Sequence, residues 1–279
     1  MRKMRILSLA ITLAVAFTGV PVFAASAPYV ESDTTTSFTR TQGETYQVKF
    51  TVHGTHANPN IVAGDGTVLQ TLNTVKSKDS NGNDVYYFKV KAIGNVGTTS
   101  AIYTTLPGQS ATRHFVITVV KKYPEGMYKV GSDIPAGEYV MISNSKSIDF
   151  GYFQVAKDSS GTLDSIVAND NFENRSIITV SDGEYITVQY ADIYAINDAP
   201  AISQTAGKIS SGMYKVGKDL KAGEYKVHAT DSSAYVEVSS DSSHLLTSII
   251  SNDNFSGDKY ISVENGQYIK IQNAEISLS

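Results

Sequence analysis

The sequence predicts an all-β chain, organised as one antiparallel sandwich followed by two tandem small β-rich modules, each with one short helix. Three observations carry this. Short runs alternate apolar and polar residues between Gly, Asn and Asp punctuation, and no long stretch keeps helical spacing. A pattern in the second half occurs twice, at an offset that begins at 86 residues and settles at 83. The 279 residues contain no cysteine, so packed cores and not disulfides must hold the fold.

The chain opens on basic Met1-Arg2-Lys3-Met4-Arg5, then an apolar run from Ile6 to Val20 and the small-residue end Val22-Phe23-Ala24. This reads as a secretory signal peptide over 1–24, too short and wrongly flanked for a permanent span. Its loss removes three cations and leaves 20 basic residues against 27 acidic ones. A net charge near −7 disfavours nucleic acid and anionic membrane as partners, and no second run is long enough for membrane insertion. Residues 25–37 are small and Thr-rich, and are expected to form a flexible lead-in.

From 38 to 121 the strand candidates are Tyr46 to Val52, Ile61-Val62, Val68 to Leu72, Tyr86 to Ala92, Ala101 to Thr104 and His114 to Val119. Turn residues at Asn58-Pro59-Asn60, Asp65-Gly66, Asn81-Gly82-Asn83 and Pro107-Gly108 separate them, the spacing of a sandwich. The Val90 to Gly94 strand end, the Val96-Gly97-Thr98-Thr99 turn and the closing Val116-Ile117-Thr118-Val119 resemble the bacterial immunoglobulin-like surface domains. That resemblance implies an immunoglobulin-like sandwich acting as a spacer or adhesion module.

The repeated modules are placed at 124–196 and 208–279, with a linker at 197–207. Gly126-Met127-Tyr128-Lys129-Val130-Gly131 returns at Gly212 to Gly217, and Asp133 to Tyr139 returns at Asp219 to Tyr225. Turn chemistry around Pro135 and Gly137 predicts a hairpin there, with Lys221 replacing the proline in the second copy. Leu163, Ile166 and Val167, like Leu246, Ile249 and Ile250, have helical spacing behind the capping runs Asp158-Ser159-Ser160 and Asp241-Ser242-Ser243. Asn169 and Asn252 are expected to end these short helices. The combination of Gly-x-Tyr-x-Val-Gly-x-Asp, Ala-Gly-x-Tyr and Leu-x-Ser-Ile-x-x-Asn-Asp-Asn resembles an uncharacterised repeat module of exported proteins of Gram-positive type. The resemblance implies export and no particular activity.

Chemistry-bearing constellations are sparse. Asp133 with Glu138, and Asp219 with Glu224, offer paired carboxylates, but turn and strand roles account for them. His53 and His56 stand at an odd separation, which turns them to opposite strand faces. Asp170 and Asp253 are an alternative calcium reading; the further carboxylates of a calcium loop are missing, and no metal or other cofactor is expected. In each module's last strand tyrosine and glutamine alternate against apolar residues, and Tyr152 and Tyr235 alternate in the same way against Phe153, Val155, Val236 and Val238. Tyr152, Tyr185 and Gln189, with Tyr235, Tyr268 and Gln272, are therefore expected to form a flat ligand face on each copy. The function expected is a secreted or cell-surface, non-catalytic protein that binds cell-wall glycan or a surface protein. The alternatives are a structural spacer and, from a different class, an extracellular glycan hydrolase.

Overall fold

The computed structural model describes residues 27–144, 150–202 and 204–278. The expected signal peptide lies outside the described residues.

Eight strands build the N-terminal sandwich: β1 (Tyr29–Ser32), β2 (Phe38–Thr41), β3 (Thr45–His53), β4 (Asn60–Ala63), β5 (Leu69–Lys78), β6 (Asp84–Ala92), β7 (Thr99–Thr105) and β8 (Thr112–Val120). They divide into sheets ordered β1-β3-β6-β5 and β2-β8-β7-β4, and the β2–β8 pair is parallel. The alternation read from the sequence sends Val48, Phe50, Phe88, Val90, Ile102, Phe115 and Ile117 into one core. The lead-in expected at 25–37 is partly strand. Tyr29 stacks on His53 at 4.7 Å between ring centres, and β1 pairs with β3 from Tyr29 to Ser32. Backbone pairing and ring stacking override the weak propensity of that polar segment.

A first two-sheet unit follows: β9 (Gly126–Lys129), β10 (Gly137–Ser143), β11 (Phe150–Ala156), β12 (Ile166–Glu173), β13 (Arg175–Val180), β14 (Tyr185–Gln189) and β15 (Ala191–Ala195). Its sheets run β13-β10-β15 and β12-β11-β14-β9. A second unit comprises β16 (Lys208–Ile209), β17 (Gly212–Lys215), β18 (Gly223–Ala229), β19 (Ala234–Ser239), β20 (Ile249–Phe255), β21 (Asp258–Val263), β22 (Tyr268–Gln272) and β23 (Ala274–Ser277). Its sheets run β16-β23-β18-β21 and β17-β22-β19-β20. Registers correspond between the units: Tyr152 lies opposite Gln189 as Tyr235 lies opposite Gln272.

Two expectations about these units are corrected. The Asp133 to Tyr139 stretch is a corner and not a hairpin: β9 pairs with β14, whereas β10 pairs with β13 and β15 in the opposite sheet. Val130 and Ile134 both sink into the core, which separates the strands on either side. Asp133 accepts from the Lys129 amide at 2.8 Å, and Asp219 from the Lys215 amide at 3.0 Å. The Tyr139 hydroxyl donates to the Pro135 carbonyl at 2.6 Å and that of Tyr225 to the Lys221 carbonyl at 2.9 Å. Any residue supplies that carbonyl, so lysine serves where the first copy has proline.

The short helix in each unit is only a three-residue 3₁₀ turn, Leu163–Ser165 and Leu246–Ser248. Ile166 and Ile249 already begin strands, and Asn169 and Asn252 lie within them. Leu163 and Leu246 are 84% and 87% exposed, so the apolar spacing buries no helix face. Asp158 and Asp241 accept from the amides of Ser160 and Ser243 at 2.8 and 2.9 Å, forming Asx-turns in place of helix caps.

Candidate functional site

The outer face of the β12-β11-β14-β9 sheet carries the residues the sequence singled out in the first unit. Across its strands the rows are Lys129 with Tyr185, then Met127, Thr187, Gln154 and Asn169, then Gln189, Tyr152 and Asn171. Ile186 and Val188 point the other way into the core. This face is open: Met127 is 54% exposed, Lys129 and Gln189 are exposed, and Tyr185 and Tyr152 are half-buried. Lys129 lies 5.8 Å from the Tyr185 ring centre, and the Tyr152 hydroxyl donates to Gln154 at 3.1 Å.

The same rows in the second unit are Lys215 with Tyr268, then Met213, Lys270, Glu237 and Asn252, then Gln272, Tyr235 and Asn254. Here the first unit covers the β17 and β22 part of the face, while Asn252 and Asn254 on β20 stay exposed. Met213 and Tyr268 fall to 2% and 5% exposure and pack with Val140 and Ile177, with Ile142, Ile196 and Ala199 around them. Glu138 receives the Tyr268 hydroxyl, the Lys215 ammonium at 2.6 Å and the Ser242 hydroxyl at 3.2 Å. Burial works against the Lys215 charge, yet the hydrogen bonds to Glu138 and Tyr268 raise its pKa. Burial raises Tyr268 too, with Glu138 adding to it. Arg175 meets Asp219 at 3.3 Å; burial lowers the guanidinium pKa, and Asp219 opposes that. The expectation of an equivalent open face on both copies therefore fails at Tyr268, and Gln272 reaches only the Asn171 carbonyl at 3.4 Å. Tyr235 stays half-buried, donating to Glu237 at 2.6 Å.

A further contact closes the side of the first sandwich. Strands β12 and β13 are the edges of its two sheets, and the Ser242-Ser243-His244 turn lies along the seam between them. The Thr179 amide donates to the Ser242 carbonyl at 3.2 Å, and His244 Nε2 donates to the Ile177 carbonyl at 2.8 Å, so edge groups find partners in the second unit. The imidazole meets Phe153 edge-on at 4.9 Å and lies 3.8 Å from Asp170, which also holds Lys270 at 2.7 Å. Burial lowers the His244 pKa, with Asp170 opposing the shift and Lys270 reinforcing it. His244 has φ of 58° and occupies the place of Gly161, whose φ is 71° in the first unit. A left-handed residue with a side chain is costly, and the buried imidazole contacts offset that cost.

These contacts place the carboxylate candidates. Asp170 is held by Lys270 and Asp253 by Lys259, each at 2.7 Å, so both carboxylates of the calcium alternative are engaged in ion pairs. Glu138 belongs to the interface and Asp133 to a corner turn. His53 binds Glu31 at 2.8 Å and His56 binds Asp84 at 3.3 Å, as separate pairs. Among the described residues no three His, Asp or Glu side chains gather as a metal site. A groove of 540 Å³ opens between the units beside Phe150, Asn171, Glu173, Gln272 and Asn273.

The sequence reading missed His244, Arg175, Val140 and Ile177. The signal was the difference between copies, not their agreement. Histidine stands at a glycine position, and Val140, Ile142, Arg175 and Ile177 correspond to Lys226, His228, Asp258 and Tyr260.

Residues 121–187 match a family model described as the Rv1352-like extracellular domain, a match that falls on the first unit. The protein is extracellular. Among the described residues no helix is long and apolar enough to cross a membrane. No curated protein matches the chain. Among solved structures, the Yersinia pseudotuberculosis adhesin InvE is 13% identical over 58% of this chain, which spans 51% of InvE, at a TM-score of 0.25. The ICAM-5 D1–D4 ectodomain fragment is 8% identical, with 91% and 69% of the two chains covered and a TM-score of 0.27. A Bacteroides ovatus protein, SGBP-B, in complex with a mixed-linkage heptasaccharide, is 11% identical, with 88% and 74% covered and a TM-score of 0.21. Likenesses this slight carry no inference about activity or partner.

Proposed function

We propose that this is an extracellular, non-catalytic binding protein whose first unit holds a surface protein on the open face of Met127, Lys129, Tyr152, Tyr185 and Gln189. One observation carries the reading. The same rows in the second unit, at Met213, Lys215 and Tyr268, already cover a protein surface, the β13-β10-β15 sheet with Glu138 as the charged contact. Methionine, tyrosine and a flanking lysine suit a protein contact, and here Met127 and Lys129 stand exposed with Tyr152 and Tyr185 half-buried beside them. The chemistry expected of the partner is the chemistry Glu138 supplies: a carboxylate beside β-branched residues on a flat sheet.

The groove beside Phe150 favours glycan as a second reading. Its 540 Å³ is in the range of ligand sites, and its wall combines an exposed ring with amides. Both readings are tested by measuring retention of the intact protein on extracellular protein fractions and on cell-wall glycan. Protein binding predicts loss of retention in Lys129→Ala with Tyr185→Ala at unchanged melting temperature. Glycan binding predicts that this variant still binds while Phe150→Ala does not. Retention on neither material by the wild type leaves the spacer reading, and turnover of the glycan would bring back the hydrolase.

A further inference from the structure

The seam that His244 plugs in the first unit has an unfilled counterpart in the second. A cavity of 170 Å³ lies between the edge strands β20 and β21, lined by Val236, Val238, Asp253, Lys259 and Ile261, with Ser251 at its rim. Register equates this lining with the first unit's seam: Val236 with Phe153, Asp253 with Asp170, Ile261 with Ile178. The volume is below the roughly 300 Å³ at which small-molecule sites begin, so the space suits one inserted side chain.

The charges also correspond. In the first unit the slot contains a carboxylate, Asp170, an ammonium from Lys270, and the His244 ring. In the second it contains Asp253 and its own Lys259, paired at 2.7 Å. The carboxylate and ammonium are both in place, and only the ring lacks an equivalent. The rail that guides the ring is in place as well. Ile177 O and Thr179 N receive the incoming turn in the first unit, and their register equivalents on the β21 edge are Tyr260 O and Ser262 N. Tyr260 is 63% exposed, so this edge is accessible.

We propose that the slot between β20 and β21 is a docking site for a partner polypeptide, which lays a serine–histidine turn along β21 and seats its imidazole beside Asp253. The turn already seen in the equivalent slot, Asp241-Ser242-Ser243-His244, defines the chemistry of the occupant. It is a short turn joined to an edge strand by one backbone hydrogen bond and one from the imidazole, and made specific by that inserted side chain. This chain's own first unit does not supply it, because its matching turn ends on Gly161. The site is remote from the open face of the first unit and stands independently of the function proposed for that face.

The test is titration of a synthetic peptide of residues 240–246 onto the full-length protein, followed by methyl NMR. Expected are saturable shifts at the methyls of Val236, Val238 and Ile261. They should vanish with a peptide carrying His244→Gly, and with the protein variant Ser251→Leu, which crowds the slot from an exposed position. The first unit should not respond, since its slot holds an intramolecular competitor at high effective concentration. Absent shifts, equal shifts with the glycine peptide, undiminished shifts in Ser251→Leu, or shifts centred on Phe153 would each overturn the proposal.

Discussion

Lys215 and Tyr268 of the second unit close on Glu138, whereas at the same positions of the first Lys129 is exposed and Tyr185 half-buried, with no neighbouring unit among the described residues over them. The partner sheets diverge in the complementary way. Val140, Ile142 and Ile177 lie under the second unit, and their counterparts Lys226, His228 and Tyr260 are exposed. A stack of such units thus has two different ends. The outward sheet of the second unit is polar, with Lys226 and His228 paired to Asp258. The outward sheet of the first unit keeps the composition of a contact surface. Equivalent residues do different work according to whether a neighbour covers them.

That contrast can be broken by substitution, with the largest effects expected where a covered residue is removed. Tyr268→Ala leaves a cavity under Val140 and strips a donor from Glu138. It should lower hydrogen-exchange protection along β22 by about 3 kcal/mol in the full chain, while Tyr185→Ala should change it within about 0.5 kcal/mol. Glu138→Ala strands Lys215 in a partly buried site and should cost about 2 kcal/mol by the same measurement. The exposed Glu224→Ala should cost nothing measurable. His244→Gly restores the first unit's residue and relieves a positive φ but empties the seam, for a net loss of about 1–2 kcal/mol.

The smallest effect is one of pH. Burial holds His244 below its ordinary pKa of 6.5, so the unfolded chain takes up the proton first. Docking stability is therefore complete above pH 6.5 and falls as the pH drops below it. Burial lowers His114 in the N-terminal sandwich too, so the assignment rests on local protection at β13 and on its pH dependence flattening in His244→Gly. A pH profile at β13 unchanged by that variant would remove His244 from the account.

Much of this was legible in residue order. Alternation in Tyr185 to Gln189 correctly separates Ile186 and Val188 in the core from Tyr185, Thr187 and Gln189 outside. It says nothing about whether a second surface covers the outside, and so Tyr185 and Tyr268 read alike. The short helix failed because Leu163, Ile166 and Val167 satisfy a helical period over too few residues to exclude a turn running into a strand. The corner at Asp133 to Gly137 has the local chemistry of a hairpin. Only the non-local pairing of β10 with β13 and β15 distinguishes the two. The Gly161 and His244 difference was visible in the sequence, and its meaning requires the seam it fills.

The central claim is that one face is spent in the second unit and open in the first, and two equivalent methionines report on it directly. Peroxide oxidation of the intact protein, followed residue by residue by mass spectrometry, compares Met127 at 54% exposure with Met213 at 2%. The account predicts that Met213 reacts at least about tenfold more slowly, the factor that about 1.4 kcal/mol of opening free energy confers. Equal rates at the two positions would contradict it, because the units would then not be docked.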